Sequence, residues 1–287
     1  MIDFRDNITF VIVTFNSHKV ITRCINSISP KNKIIIIENS SDYSIKNSIE
    51  SKFKNAEVII AGENLGYGKG NNLGISKVKT QYAFILNPDT YIDENTIIEL
   101  EKAKLVLNDK FSIIAPNFNN NYGYFSKKNY SDFSKEIFEV DYVKGFAMLL
   151  NFNEINFSKI FDEKIFLFLE EVDLCKRIKD KKGKIYLISK SKIYHSEKQG
   201  SGNSFEVELC RNWHWMWSLY YYNLKHLGKL EALNIALGKF FSSILKIFFS
   251  FIFFNKKKCL IHKYRLFGLV NSILKKPSWI RPENIKI

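Results

Sequence analysis

Six short stretches of this 287-residue chain carry side chains able to do chemistry, and most of them lie just after apolar runs. Leu86-Asn87-Pro88-Asp89-Thr90 sets a carboxylate on a turn stiffened by proline. An acid held that way suits Mg2+ or Mn2+, which take few protein ligands and leave positions for phosphate oxygens. The same residues also make an ordinary Pro-Asp type I turn. Phe166-Leu167-Phe168-Leu169-Glu170-Glu171-Val172-Asp173 delivers three acids within four residues at an expected helix start. Capping of the helix dipole accounts for Asp173 but does not call for Glu170 and Glu171 as well. A carboxylate beside an apolar wall has its pKa raised toward the working range of a general base. Tyr194-His195-Ser196 precedes the flexible Gln199-Gly200-Ser201-Gly202, so His195 is either a ligand or an ordinary surface histidine.

The other three stretches offer hydrogen bonds and close backbone approach. Thr14-Phe15-Asn16 follows the first apolar run and Glu38-Asn39-Ser40-Ser41-Asp42 the second. An acid and an amide on adjacent strand tips can bind a pyrimidine edge and a ribose hydroxyl. As single motifs they are equally turn and cap residues. Asn64-Leu65-Gly66-Tyr67-Gly68-Lys69-Gly70-Asn71-Asn72 offers glycines for close approach and a lysine for phosphate, with Gly66, Lys69 and Asn72 as donor-binding candidates. It is no dinucleotide fingerprint, because Asn71 stands where the third glycine belongs and the stretch follows the third strand.

These residues need a frame that brings distant strand ends together. Apolar β-branched runs at Ile8 to Thr14, Lys33 to Ile37, Val58 to Ala61 and Tyr82 to Leu86 predict four buried strands. Helical stretches are expected at about Lys19 to Ser29 and Asn71 to Val78. The alternation predicts an α/β fold with a mostly parallel sheet, helices on both faces and ligands at the carboxyl ends of the strands. Asn117 to Glu139 reads as loop, and order returns at Val140 to Leu150, Phe161 to Lys179 and a strand at Ile185 to Ile188. After Ser204 the chain turns helical and aromatic, which predicts a catalytic domain over 1–204 and a C-terminal helical region over 205–287.

Bulk properties narrow the function classes. The chain carries 43 Lys+Arg against 29 Asp+Glu, a net +14, which favours an anionic partner. Nucleic acid is the rival that this charge raises, but the aromatics fall in apolar helical runs and acids occupy the strand ends, where a polyanion is repelled. Cys24, Cys175, Cys210 and Cys259 are too scattered for a zinc knuckle, and reduced thiols are expected. The start Met-Ile-Asp-Phe-Arg-Asp lacks a basic signal-peptide region, so a cytoplasmic location is expected.

Taken in order over roughly residues 8 to 228, these motifs resemble family 2 of the glycosyltransferases, particularly its bacterial rhamnosyltransferase-like branch. Arg211-Asn212-Trp213-His214-Trp215-Met216-Trp217-Ser218 is similar to a stretch further along that branch. The resemblance implies a GT-A fold and an inverting displacement on a nucleoside-diphosphate sugar such as a dTDP- or UDP-sugar, dTDP-rhamnose among them. It implies that Thr14, Asn16 and Glu38 hold the nucleoside and that Asp89 binds the metal, with Asn87 beside it and His195 as a further ligand. Glu171 is the implied base, with Glu170 as the alternative. Glu38 and Glu171 stand where the family usually has Asp, and Asn87 where many relatives have the first acid of an Asp-x-Asp. A non-catalytic sugar-nucleotide-binding or scaffold member of the same fold is the alternative.

Leu233 to Phe254 is long enough to span a bilayer. Lys239, Ser242, Ser243, Lys246 and Ser250 recur at helical spacing as a polar stripe, and Lys256-Lys257-Lys258 follows. This predicts a helix in the interface of an anionic membrane, against the plainer reading of an amphipathic helix packed on the catalytic domain. Membrane helix and basic charge together point to a polyprenyl-diphosphate-linked glycan acceptor at the cytoplasmic face, as in O-antigen or capsule synthesis.

Overall fold

A computed structural model describes residues 3–118, 136–195 and 204–285. The chain divides into two compact units, Met1–Asp162 with Glu171–Gly202, and Glu163–Glu170 with Asn203–Ile287.

The first unit is a nine-stranded sheet flanked by helices. Its opening half alternates β1 (Ile8–Thr14), α1 (His18–Asn26), β2 (Ile34–Glu38), α2 (Tyr43–Lys52), β3 (Ala56–Ile60), α3 (Gly66–Ile75) and β4 (Tyr82–Leu86). β2 and β4 are buried at every position, as expected of strands covered on both faces. These strands pair in parallel in the order β3-β2-β1-β4. The closing half holds β5 (Thr90–Tyr91), α4 (Glu94–Val106), β6 (Ile113–Phe118), β7 (Ile137–Glu139), β8 (Ala147–Asn151), α5 (Glu170–Asp180) and β9 (Ile185–His195). Here β8 runs antiparallel between β4 and β6, and β5 and β7 run antiparallel to β9. The sheet is therefore mixed, and the mostly parallel expectation holds for its first half.

Two local expectations are corrected. The glycines Gly66, Gly68 and Gly70 belong to α3 itself, not to a loop before it. A Cβ on Gly74 would lie 2.5 Å from Val11 Cγ1 and one on Gly70 3.0 Å from Val13 Cγ1. The glycines thus let α3 press on β1, at a helix cost of about 1 kcal/mol each. The strand expected at Ile185 to Ile188 continues to His195, with a register shift against β6 between Pro116 and Asn117 that accommodates the extra residues. The expected loop is trimmed by β6 and β7, and its residues 119–135 lie outside the described residues, as do Ser196 and the Gln199–Gly202 stretch.

The second unit packs α6 (Phe205–His226), α7 (Lys229–Ile252) and α8 (Lys256–Ile273) with the segment 163–170. Trp213, His214, Met216, Trp217 and Ser218 of the Arg211–Ser218 stretch are buried in its core, while Trp215 is exposed. Trp213 is fully buried, and Gly268 of α8 approaches so closely that a Cβ would sit 2.1 Å from the Trp213 carbonyl oxygen. Buried His214 donates from Nε2 to the Ile280 carbonyl at 2.8 Å, and burial pushes its pKa down to about 3, so it stays neutral. The polar stripe read from the sequence of α7 splits: Ser243 and Ser250 are buried, while Lys239 and Lys246 are exposed.

Candidate active site

The site lies in the first unit, at the carboxyl ends of β1, β2 and β4, where parallel strands converge ligands. Asn87-Pro88-Asp89-Thr90 is a turn in which Thr90 N donates to the Asn87 carbonyl at 3.1 Å and Thr90 Oγ1 at 2.6 Å. The Cys24 thiol donates to the same carbonyl at 3.6 Å, and burial pushes its pKa up to about 12, which keeps it protonated. The turn reading and the functional reading describe one structure, since the turn is what carries buried Asp89 off the end of β4.

β9 brings the second half. Thr90 pairs with His195 and Tyr91 with Tyr194 across a two-residue antiparallel ladder. His195 Nε2 consequently lies 3.2 Å from Asp89 Oδ1. That oxygen is buried and makes no aligned hydrogen bond. The His195 ring stacks on Phe146 at 4.8 Å and meets the edge of Phe118 at 5.9 Å, which fixes its plane.

The segment before β8 joins this pair to Glu171. Asn87 N donates to the Phe146 carbonyl at 2.9 Å, and the Tyr67 hydroxyl of α3 donates to the carbonyl of neighbouring Gly145. A Cβ on Gly145 would lie 3.2 Å from the Tyr67 hydroxyl and 3.5 Å from Glu171 Cβ. Burial raises the Glu171 pKa, while Lys144 draws it back down. Phe168 and Leu169, immediately before α5, both adopt left-handed backbone (φ 70° and 67°), a strain costing about 1–3 kcal/mol per residue. Glu170 is the buried first residue of α5 and groups with the second unit. Asp173 is committed to Arg177 Nε at 2.8 Å.

The donor-binding candidates divide. Thr14 and Glu38 are register partners at the ends of β1 and β2. Thr14 Oγ1 donates to Glu38 Oε2 at 2.6 Å and Ser40 N to Oε1 at 2.5 Å, so fully buried Glu38 holds the two strand-end loops together. Exposed Asn16 has φ 54° and donates its N–H to Ser40 Oγ at 3.3 Å. Gly66 starts α3 at φ 76° and accepts from Asn39 Nδ2 at 3.1 Å, and half-exposed Lys69 pairs with Glu63 at 3.5 Å. The Asn72 amide exchanges two 2.9 Å bonds with the backbone of Phe161, a clasp between α3 and a segment far along the chain. Tyr67, Lys144 and Phe146 were missed as site residues, because only the fold brings them to Glu171 and His195.

A family model described as Glycosyl transferase family 2 matches residues 9–160, over half of the chain. The chain belongs to glycosyl transferase family 2. Among solved structures, this family 2 member is similar to the mannosyltransferase PcManGT from Pyrobaculum calidifontis in complex with GDP-Man and Mn2+. The identity is 9%, the TM-score 0.58, and the match covers 94% of this chain and 88% of that one. It is also similar to S. aureus TarS 1-349, with 14% identity, TM-score 0.51, and 94% and 92% coverage. GalNAc-T7 with UDP, GalNAc and Mn2+ matches at 15% identity and TM-score 0.56 over 78% of this chain, which spans about half (51%) of that structure. No curated protein sequence matches the chain significantly. At these identities the structural matches establish the GT-A fold. Among the described residues, no group of three or more His, Cys, Asp or Glu side chains is assembled for a metal.

Proposed function

We propose that this family 2 transferase is a metal-dependent, inverting enzyme moving a sugar from a nucleoside-diphosphate donor to a glycan hydroxyl. The supporting observation is the Asp89–His195 pair, where a buried carboxylate oxygen without an aligned hydrogen bond faces an imidazole nitrogen 3.2 Å away. A buried acceptor left unsatisfied costs about 1–3 kcal/mol, and a divalent cation would use both lone pairs. Carboxylate plus imidazole fits Mn2+ or Mg2+ sharing its remaining positions with a diphosphate and water. When bound, the ion offsets charge growing on the leaving nucleoside diphosphate.

The chain's own residues carry the rest. Glu171, with its raised pKa, accepts the proton of the acceptor hydroxyl as that oxygen bonds to the anomeric carbon and the bond to the diphosphate breaks. Lys144 offsets part of the rise that burial imposes on Glu171. Thr14 and Asn16 hold the nucleoside, Glu38 orients them, and Lys69 and Gly66 face the phosphates. The donor is a dTDP- or UDP-sugar, dTDP-rhamnose among them, in keeping with the rhamnosyltransferase-like motif order. The acceptor is a polyprenyl-diphosphate-linked glycan of a bacterial surface polysaccharide such as O-antigen or capsule. The enzyme then works peripherally at the cytoplasmic face of the membrane.

Calorimetric titration of UDP and dTDP with and without Mn2+ tests the reading. Binding that requires the metal is expected. Absence of binding by any nucleoside diphosphate in either condition would sink it.

A further inference from the structure

We infer that the outward face of α7 is a docking surface that lies flat in the interface of an anionic lipid bilayer. A water-soluble helix keeps its apolar face inward and its polar face out. α7 is arranged the other way round. Its buried residues, Ala232, Ala236, Ser243 and Ser250, are small or hydroxylic and recur at spacings of four and seven, which makes one stripe. Opposite that stripe, at about 100° per residue, stand Leu237, Phe241, Ile244, Leu245, Phe248 and Phe249. Phe241 and Phe248 are 60% and 57% exposed, and Phe251 and Phe254 at the end of the helix 74% and 90%. Singly exposed hydrophobics need no explanation, but a continuous band of this kind marks an interaction surface.

Charge selects what covers it. Lys256, Lys257 and Lys258 are all exposed just beyond the end of the band, while exposed Lys239 and Lys246 flank the buried stripe on the other side of the helix. α8 contains no acid, and α7 contains Glu231 alone. A second copy of this chain seated on the band would offer Lys256, Lys257 and Lys258 no acid from α8 and only Glu231 from α7. An anionic headgroup layer receives them while the acyl boundary takes the phenylalanines.

The helix is long and apolar enough to cross a bilayer. α8 nevertheless packs along both α6 and α7, with Ser272 Oγ donating to the Trp217 carbonyl at 2.8 Å and Arg265 Nη1 to Asn212 Oδ1 at 3.1 Å. A crossing α7 would carry Lys263 and Arg265 of α8 into hydrocarbon, where charge is costly. Lying flat keeps α8 in water. The lipid-linked acceptor proposed above rests on this surface, whereas the surface does not rest on the transfer chemistry.

Vesicle flotation of the purified full-length protein, without donor or metal, tests the proposal. Vesicles are phosphatidylcholine alone or with an equal share of phosphatidylglycerol. Wild type is expected to bind the anionic vesicles about tenfold or more tightly than the neutral ones. A Phe241→Gln/Phe248→Gln/Phe249→Gln variant should lose binding to both, and a Lys256→Ala/Lys257→Ala/Lys258→Ala variant should lose the anionic preference. Unchanged far-UV circular dichroism qualifies each variant, and Leu237→Gln/Ile244→Gln stands in if the triple-Phe protein misfolds. Bound wild type should also exchange onto added vesicles; permanent retention on the first population overturns the flat placement. Wild type that floats with neither vesicle, or a triple-Phe variant that floats as well as wild type, overturns the surface itself. So does a dimer abolished by the Phe substitutions with no vesicle binding. Each of these failures leaves nucleotide binding untouched and separately measurable.

Discussion

Burial raises the Glu171 pKa, and hydrogen bonds from the Glu171 and Val172 backbone N–H groups together with the Lys144 ammonium offset part of that rise, with burial the larger. A raised folded-state pKa means that the folded protein holds a proton which the unfolded chain has released. Between the ordinary glutamate range and the raised value, stability therefore falls as pH rises, and above that window the full penalty remains. Replacing Glu171 by Gln removes the charge and the penalty together. The Glu171→Gln protein should melt higher than wild type at neutral pH, and the two should converge as pH falls into the ordinary carboxylate range. Its kcat should drop by about 10²–10⁴-fold, the usual contribution of a general base. Thermal melts from pH 8 to 4 beside donor turnover check both, and a variant with lower melting temperature and full turnover would dismiss the assigned role. The acids themselves were legible in the sequence, because acids after apolar runs are unusual. Their partners were not: Tyr67, Lys144 and Phe146 carry no local signal, and the clasp of Asn72 on the Phe161 backbone joins residues far apart in the chain.

At the scale of elements, α3 shows how a glycine-rich stretch misleads. Glycine signals either a turn or a close approach, and the sequence alone does not say which. Here the approach wins, since Gly74 has no room for a methyl group against Val11. Gly238 on α7 has nothing within 4 Å. The same substitution should therefore act in opposite directions. Gly74→Ala overpacks by about 1–3 kcal/mol and recovers only about 1 kcal/mol of helix propensity. Gly238→Ala should gain up to about 1 kcal/mol. Denaturant unfolding of the two variants reads the signs directly, and a stabilised Gly74→Ala would refute the packing of α3 on β1. Strands β1 and β4 were readable to within a residue because they are mostly apolar and nearly every position is buried. The closing half was harder. β5 is two residues long and exists only through its ladder with β9, and α4 is held by the Asp93–Thr96 capping box, with Thr96 where a sequence search expects Glu or Gln.

For the molecule as a whole, the order of motifs predicted the family, and the family model covers residues 9–160 of the first unit. The sheet is mixed because β8 enters between β4 and β6 in the reverse direction, a long-range pairing that strand-by-strand reading does not reach. The net charge of +14 fits an anionic partner of either kind proposed here, a diphosphate at the strand ends or a lipid surface at α7. The central claim is that the first unit is a sugar-transfer site, and the lipid surface at α7 stands independently of it. That claim is tested most directly by release of nucleoside diphosphate from UDP- and dTDP-sugars, compared between wild type and Asp89→Ala with Mn2+ or with EDTA. The account predicts release by wild type with Mn2+, none with EDTA, and a loss of about 10²-fold or more in Asp89→Ala. Wild type that releases no nucleoside diphosphate from any donor, or Asp89→Ala with full metal-dependent release, would contradict it.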